Sequence, residues 1–237
     1  MSKVNISNTM RLLRDISFEL DTVELMKGVR IVEGSEEAGE FTALVRRARE
    51  VARPKAAYRE CFIQSRGHDS VKIEGITFTS KMLRSQLDRV DRVFPFVCTC
   101  GRELDAAYSS GGDFMKDYWW DLIKDALLKE AVGRFREDIG QRYLLTNTSS
   151  MHPGSGDADV WPIRQQRNLF DLLGEAPAGI GVSLTDSCLM IPVKTVSGIL
   201  FPTEHDFRTC QVCRREICPN RSAPLDENLW QSLHQGD

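Results

Sequence analysis

The sequence predicts an α+β fold: a mainly antiparallel sheet built around one long central helix. Three observations carry that expectation. An apolar stripe at helical spacing runs from Asp113 to about Tyr143, some ~30 residues or roughly 45 Å at 1.5 Å per residue. Short apolar runs at 93–99 and 196–201 fit buried strands. Turn-forming residues punctuate the stretch 144–205. Residues 8–143 read mainly as helices with a few short strands, and 144–205 as strands with one helix. The remainder is irregular and bears cysteine.

Taken in order, Ile16-Ser17-Phe18-Glu19-Leu20 alternates apolar and polar, the strand signal. Asp21 or Thr22 caps a short helix that Gly28 ends. Ser35 and Glu37 open a longer helix. Its Phe41, Leu44, Val45, Ala48, Val51 and Ala52 keep the 3,4 spacing, and Pro54 stops it. Val71, Ile73, Ile76 and Phe78 surround Gly75, which reads as a strand with a bulge. A helix follows from Ser80 to about Asp88. The long helix should pack on the sheet with one side and on other helices with the other. A short helix over 165–173 and strands near 181–185, 189–192 and 196–201 complete the set.

Composition narrows the function. The 237 residues are 41% hydrophobic and 27% charged, which gives enough apolar material for a real core. The formal net charge of −3 argues against nucleic acid as the main partner. No apolar run reaches the ~18 residues of a membrane span. The segment Met1-Ser2-Lys3-Val4-Asn5 lacks a secretory apolar region, so a cytoplasmic location is expected. His68, His152, His205 and His234 are scattered, and no HExxH, Walker loop or GxGxxG supports a hydrolase, kinase or nicotinamide enzyme.

The sharpest chemical signal is Cys210-Gln211-Val212-Cys213-Arg214-Arg215-Glu216-Ile217-Cys218-Pro219. Three thiols within nine residues can converge on one ion or cluster. Zinc knuckles usually come in pairs, and no second pair is near. The motif therefore favours an iron–sulfur cluster of the four-iron, four-sulfur type, with zinc as the alternative. A fourth ligand is needed. Cys100, at the end of the 93–99 run beside Gly101, is the first candidate, Cys98 the second and Cys188 the third. Cys61 reads as a small buried residue. A second constellation, Met151-His152-Pro153-Gly154-Ser155-Gly156-Asp157, is a turn that can hold a polar ligand by main-chain contacts.

Residues 144–205 resemble a known family. The carriers are Pro153-Gly154, Gln166, Leu169-Phe170-Asp171-Leu172-Leu173, Ile180 through Ser187, Met190-x-Pro192 and Thr195-Val196-Ser197-Gly198. This order resembles the activation (reactivation) domain of cobalamin-dependent methionine synthase. Gly101-Arg102-Glu103-Leu104 and Glu130-Ala131 fit it upstream.

The resemblance implies a C-shaped fold with a central twisted antiparallel sheet. It implies a domain over 1–205 and a separate cysteine-rich tail over 206–237. S-adenosylmethionine would bind at Glu130, Pro153, Gly154 and Ser155 and be presented to an oxidised corrinoid on a partner protein. A reductant would supply an electron, and the cobalt would be remethylated. The tail resembles that of a stand-alone subgroup from anaerobes.

Three departures stand out. Ser150 takes the place of an arginine in the family's Arg-x-x-Pro-Gly-Tyr loop and Ser155 that of its tyrosine, and Ile199 follows Gly198 where the family has a second tyrosine. A serine cannot supply the directed fork of a guanidinium. Those losses predict weak S-adenosylmethionine binding, with a Kd above roughly 100 μM.

The function implied is therefore an accessory redox module for corrinoid methyl transfer, with Cys100, Cys210, Cys213 and Cys218 holding the cluster. The alternatives are a zinc-stabilised scaffold of such a system and an S-adenosylmethionine-binding methyltransferase module. The resemblance places the partner-facing surface at residues 151–161 and along 195–201, with Asp157 and Trp161 as contacts.

Overall fold

A single strand, β6 (Arg92–Thr99), organises the molecule. All but the first of its residues are buried, because both faces of the sheet are covered. The computed structural model describes residues 10–109, 111–157, 159–204, 207–218 and 221–234. His205 and Pro219 therefore lie outside the described residues.

Along one edge β6 pairs antiparallel with β2 (Lys55–Arg59) and then with β3 (Cys61–Arg66). β1 (Met10–Leu13) extends the β2 side. β4 (Ser70–Ile73) and β5 (Ile76–Thr79) extend the β3 side. Along the other edge lies β10 (Thr195–Pro202), and β7 (Thr148–Met151) closes that end. The remaining strands, β8 (Ser183–Leu184) and β9 (Met190–Ile191), form a separate small ribbon.

The helices are α1 (Thr22–Gly28), α2 (Glu36–Val51), α3 (Lys81–Gln86), α4 (Glu103–Ala107), α5 (Phe114–Tyr143), α6 (Gln166–Leu173), α7 (Ala176–Gly179) and α8 (Glu227–His234). Their starts follow capping chemistry. Asp21, Ser35, Ser80 and Asp113 each accept backbone N–H groups of the first turn, as N-cap side chains do.

Strand alternation sorts the core into layers. Phe94, Phe96 and Cys98 face Ala131, Phe135 and Ile139 of α5. Val93 and Val97 face the opposite layer, with Met82 and Leu83 of α3, Leu169 and Leu172 of α6, and Trp161. Beyond the sheet, the first half of α5 packs Trp119, Trp120 and Ile123 against Phe41, Val45 and Ala48 of α2. The long helix thus bridges sheet and helices, as its length implies.

Three expectations are corrected. Residues 16–20 form no strand. Ile16 and Leu20 are buried, but the Leu20 carbonyl accepts Arg49 Nη2 at 2.5 Å, so a helix side chain takes the place of a strand partner. The Gly75 region is a hairpin, not a bulged strand. Ile73 pairs with Ile76, and the two turn residues Glu74 and Gly75 have φ of 48° and 88°, the twist that a two-residue hairpin needs. Finally, most of the sheet lies before residue 100. β2 is buried at Ala56, Ala57 and Tyr58, so it shows no alternation.

Candidate functional site

β7 is a short edge strand, and its outer flank is where polar chemistry collects. Ser150 stands opposite Leu200 of β10. Arg136 reaches it from α5: its Nη2 donates to Ser150 Oγ at 2.9 Å, and its Nη1 to Thr148 Oγ1 at 3.4 Å. The chain of bonds continues. His152 Nδ1 lies 2.8 Å from the Ser197 carbonyl, which can only accept, so Nδ1 carries the proton. Nε2 then accepts from Ser150 Oγ at 3.1 Å. Gly198 makes this crossing possible, since a Cβ there would run into the Met151 carbonyl and the His152 ring.

Burial holds the His152 imidazole below its ordinary pKa, and the Arg136 charge adds to the effect. Burial also lowers the Arg136 guanidinium, as does the nearby Arg208 charge. Among the described residues no ion pair forms between Arg136 and a carboxylate.

Around this chain lies a pocket of about 550 Å³. The body of the molecule contributes Arg136, Thr148, Ser149, Ser150, His152 and Ser155. The C-terminal segment contributes Phe207, Arg208, Thr209, Cys210 and Ser222. The lining holds two guanidinium groups, six hydroxyls and no carboxylate. Such a wall suits a ligand with an anionic group, because arginine offers a fork of charge-assisted donors.

The expected ligand loop lies beside this pocket. Ser155 lines it. Pro153 is buried, and Gly154 makes the turn at φ 80°, with its N–H donating to the Trp161 carbonyl at 2.8 Å. Neither Pro153 nor Gly154 lines the pocket, and nor does Glu130. Glu130 sits six residues before Arg136 on α5, about 9 Å along the axis. Arg136 itself gave no sequence signal. Its neighbours Arg134 and Glu137 form an ordinary exposed i,i+3 pair, and only the fold brings residue 136 to residue 150.

The cysteines divide. Cys210 lines the pocket, while Cys213 and Cys218 follow on the same part-exposed segment. Ser222 N and Oγ each donate to Cys210 Sγ at 3.4 Å. Burial pushes this thiol up, but the Ser222 and Ala223 donors and the Arg221 charge outweigh it, and its pKa falls below the ordinary value. Arg221 donates to the carbonyls of Cys210 at 3.2 Å and Cys213 at 3.1 Å.

Cys100 lies elsewhere. It is buried with Leu104, Trp119 and Trp120, where desolvation pushes its pKa up to about 12. Its thiol sits in an apolar layer and does not line the pocket that Cys210 lines. Cys98 is buried against α5 and is raised for the same reason, and Cys188 and Cys61 are also buried. By donor chemistry Cys210, Cys213 and Cys218 fit a thiophilic metal; Cys100 belongs to a separate apolar cluster. Among the described residues, no three His, Cys, Asp or Glu side chains are gathered on one point where a metal could sit.

The expected contact residues are structural. Trp161 is fully buried and packs edge-on against Phe78 at 5.9 Å. Asp157 accepts Arg214 N at 3.1 Å and Trp230 Nε1 at 3.0 Å, tying the C-terminal segment down. β10 pairs with β6 over 195–200 and with β7 only over 199–202, but every residue from 195 to 201 except Val196 is buried, so the strand is not an open face. Phe207 and Val212 of the C-terminal segment are buried in the sheet core.

No protein-family model matches the chain, and no curated protein matches it. Among solved structures it is similar to a crystal structure of the MetH reactivation domain bound to AdoHcy, with a TM-score of 0.54 and 16% identity, covering 84% of this chain and 81% of that one. At that identity the likeness is one of fold: the chain has the α+β architecture of the MetH reactivation domain. No helix of the described residues is long and apolar enough to cross a membrane.

Proposed function

We propose that the chain is an accessory reactivation module for corrinoid-dependent methyl transfer, and that its Arg136 pocket binds S-adenosylmethionine or S-adenosylhomocysteine. One observation carries this reading: the 2.9 Å bond from Arg136 to Ser150. The resemblance puts an arginine at the position of Ser150. Here a guanidinium arrives at the same place from α5. The expectation of weak binding rested on the loss of that arginine and of two tyrosines; Arg136 answers the first loss, and on that ground specific binding is expected in its place. The neighbour of like fold was crystallised with AdoHcy, which supports the choice of ligand.

In this reading the ligand's carboxylate lies against Arg136 and Arg208, and the hydroxyls of Ser150, Ser155 and Thr209 fix its orientation. A corrinoid protein docks from outside and brings the cobalt. Exposed Ile163, against the Gly154 turn, and exposed Leu189, Ile191 and Val193 offer it apolar contacts. A metal centre on Cys210, Cys213 and Cys218, iron–sulfur or zinc, would supply an electron in the first case and rigidity in the second.

The test is a spectral titration. An oxidised corrinoid protein from the same cell is mixed with S-adenosylmethionine and a low-potential reductant, with and without this chain. Faster growth of the methyl–cobalt absorbance with the chain present is the expected result. No acceleration and no complex with any such protein would overturn the reading.

A further inference from the structure

Cys210 belongs to two groups at once. It lines the pocket, and it is the first of the three thiols in the C-terminal segment. Five of the eleven residues that line the pocket come from that segment, including its second guanidinium, Arg208. A short relay joins them. The Ser222 amide and hydroxyl donate to Cys210 Sγ, and the Ser222 carbonyl accepts from Arg208 Nη1 at 2.9 Å. Arg221 clasps the carbonyls on either side, at Cys210 and Cys213.

Resting on the ligand reading above, we propose that a thiophilic metal held by Cys210, Cys213 and Cys218 and an adenosyl ligand in the pocket are linked, each raising the affinity of the other. The thiols are not yet gathered on one point, so a metal draws the segment together. Donors to a ligating sulfur are kept and strengthened when the metal binds, so Ser222 is held as well. Arg208 is then fixed through the Ser222 carbonyl before the ligand arrives. Ordering a binding group in advance removes that cost from the binding step. Three thiolates and a divalent ion leave one net negative charge. S-adenosylhomocysteine is net neutral, so that charge acts on it only weakly. Linkage is reciprocal: the ligand must tighten the metal by the same factor.

The experiment uses the full reduced chain, Zn2+ as the metal probe and S-adenosylhomocysteine as the pocket probe. Calorimetry should show about fivefold or tighter S-adenosylhomocysteine binding with one equivalent of Zn2+, the lower end of common coupling factors. Cys213→Ser should abolish both zinc binding and the difference. Equal affinity with and without Zn2+ overturns the proposal, and so does failure of the wild-type chain to bind zinc. If S-adenosylhomocysteine binds in neither state, the ligand reading fails and its linkage with it, and amide exchange then decides whether the metal orders the pocket. Zinc should protect 148–152 as well as 207–213; protection confined to 207–213 overturns it.

Discussion

Arg136 Nη2 lies 2.9 Å from Ser150 Oγ, joining the middle of the long helix to the edge strand β7. The contact joins residues 14 apart in sequence that belong to different elements. In the reading proposed above, Arg136 stands in for the arginine that the resemblance places at position 150. The hydrogen-bond chain beyond Ser150, through His152 to the Ser197 carbonyl, fixes the direction of every donor.

That chain makes stability depend on pH. The folded-state pKa of His152 is depressed by burial. The unfolded imidazole protonates near 6.5. Its contribution is therefore fully present above about pH 6.5 and is lost as pH falls toward the folded value. Thermal melts between pH 7.5 and 5.5 should show a falling midpoint, and His152→Asn should flatten the slope. An unchanged slope in the variant would show that other groups set it.

A second polar cluster ties β1, β2 and α5 together. Asp138 accepts Arg11 Nε at 3.0 Å and Nη2 at 2.9 Å, and the buried Tyr58 hydroxyl at 2.7 Å. Burial opposes ionisation of Asp138, but these bonds outweigh it and its pKa is lowered. The stability it supplies is present above the unfolded value of about 3.9 and is lost below it, outside the His152 window. Asp138→Asn should cost about 1–3 kcal/mol at pH 7 in urea titrations. A neutral result would mean that water satisfies Tyr58 equally well.

Trp161→Ala tests whether this residue belongs to the core rather than to a partner surface. It is fully buried against Phe78, and truncating a buried tryptophan costs about 3–5 kcal/mol. The midpoint of unfolding should fall accordingly. A stable variant with weakened partner binding would reverse the assignment.

Much of the fold was legible because local chemistry and packing agree. Asp113 caps α5, and its Ile123, Leu127, Ala131, Phe135 and Ile139 recur every four residues, so sequence alone places that helix. Ser35 and Ser80 announce their helices in the same way. β2 was hidden because burial on both faces erases alternation, and β7 because Thr148-Ser149-Ser150-Met151 has too few apolar residues to mark a strand. The site was half legible. Of the residues that line the pocket, loop and thiol chemistry had singled out Ser155 and Cys210. Arg136 and Arg208 were not, because a lone arginine carries no pattern until distant elements meet. Proximity to a strand end also says nothing of what covers Cys100; here Trp119 and Trp120 do.

The most direct test of the central claim is calorimetric titration of S-adenosylhomocysteine into the wild-type chain and into Arg136→Ala. The account predicts saturable binding to the wild type with a Kd below roughly 100 μM. In the variant it predicts a loss of tenfold or more, about 1.4 kcal/mol, with the fold retained by circular dichroism. Equal affinity in the two proteins, or no binding to either, would contradict it.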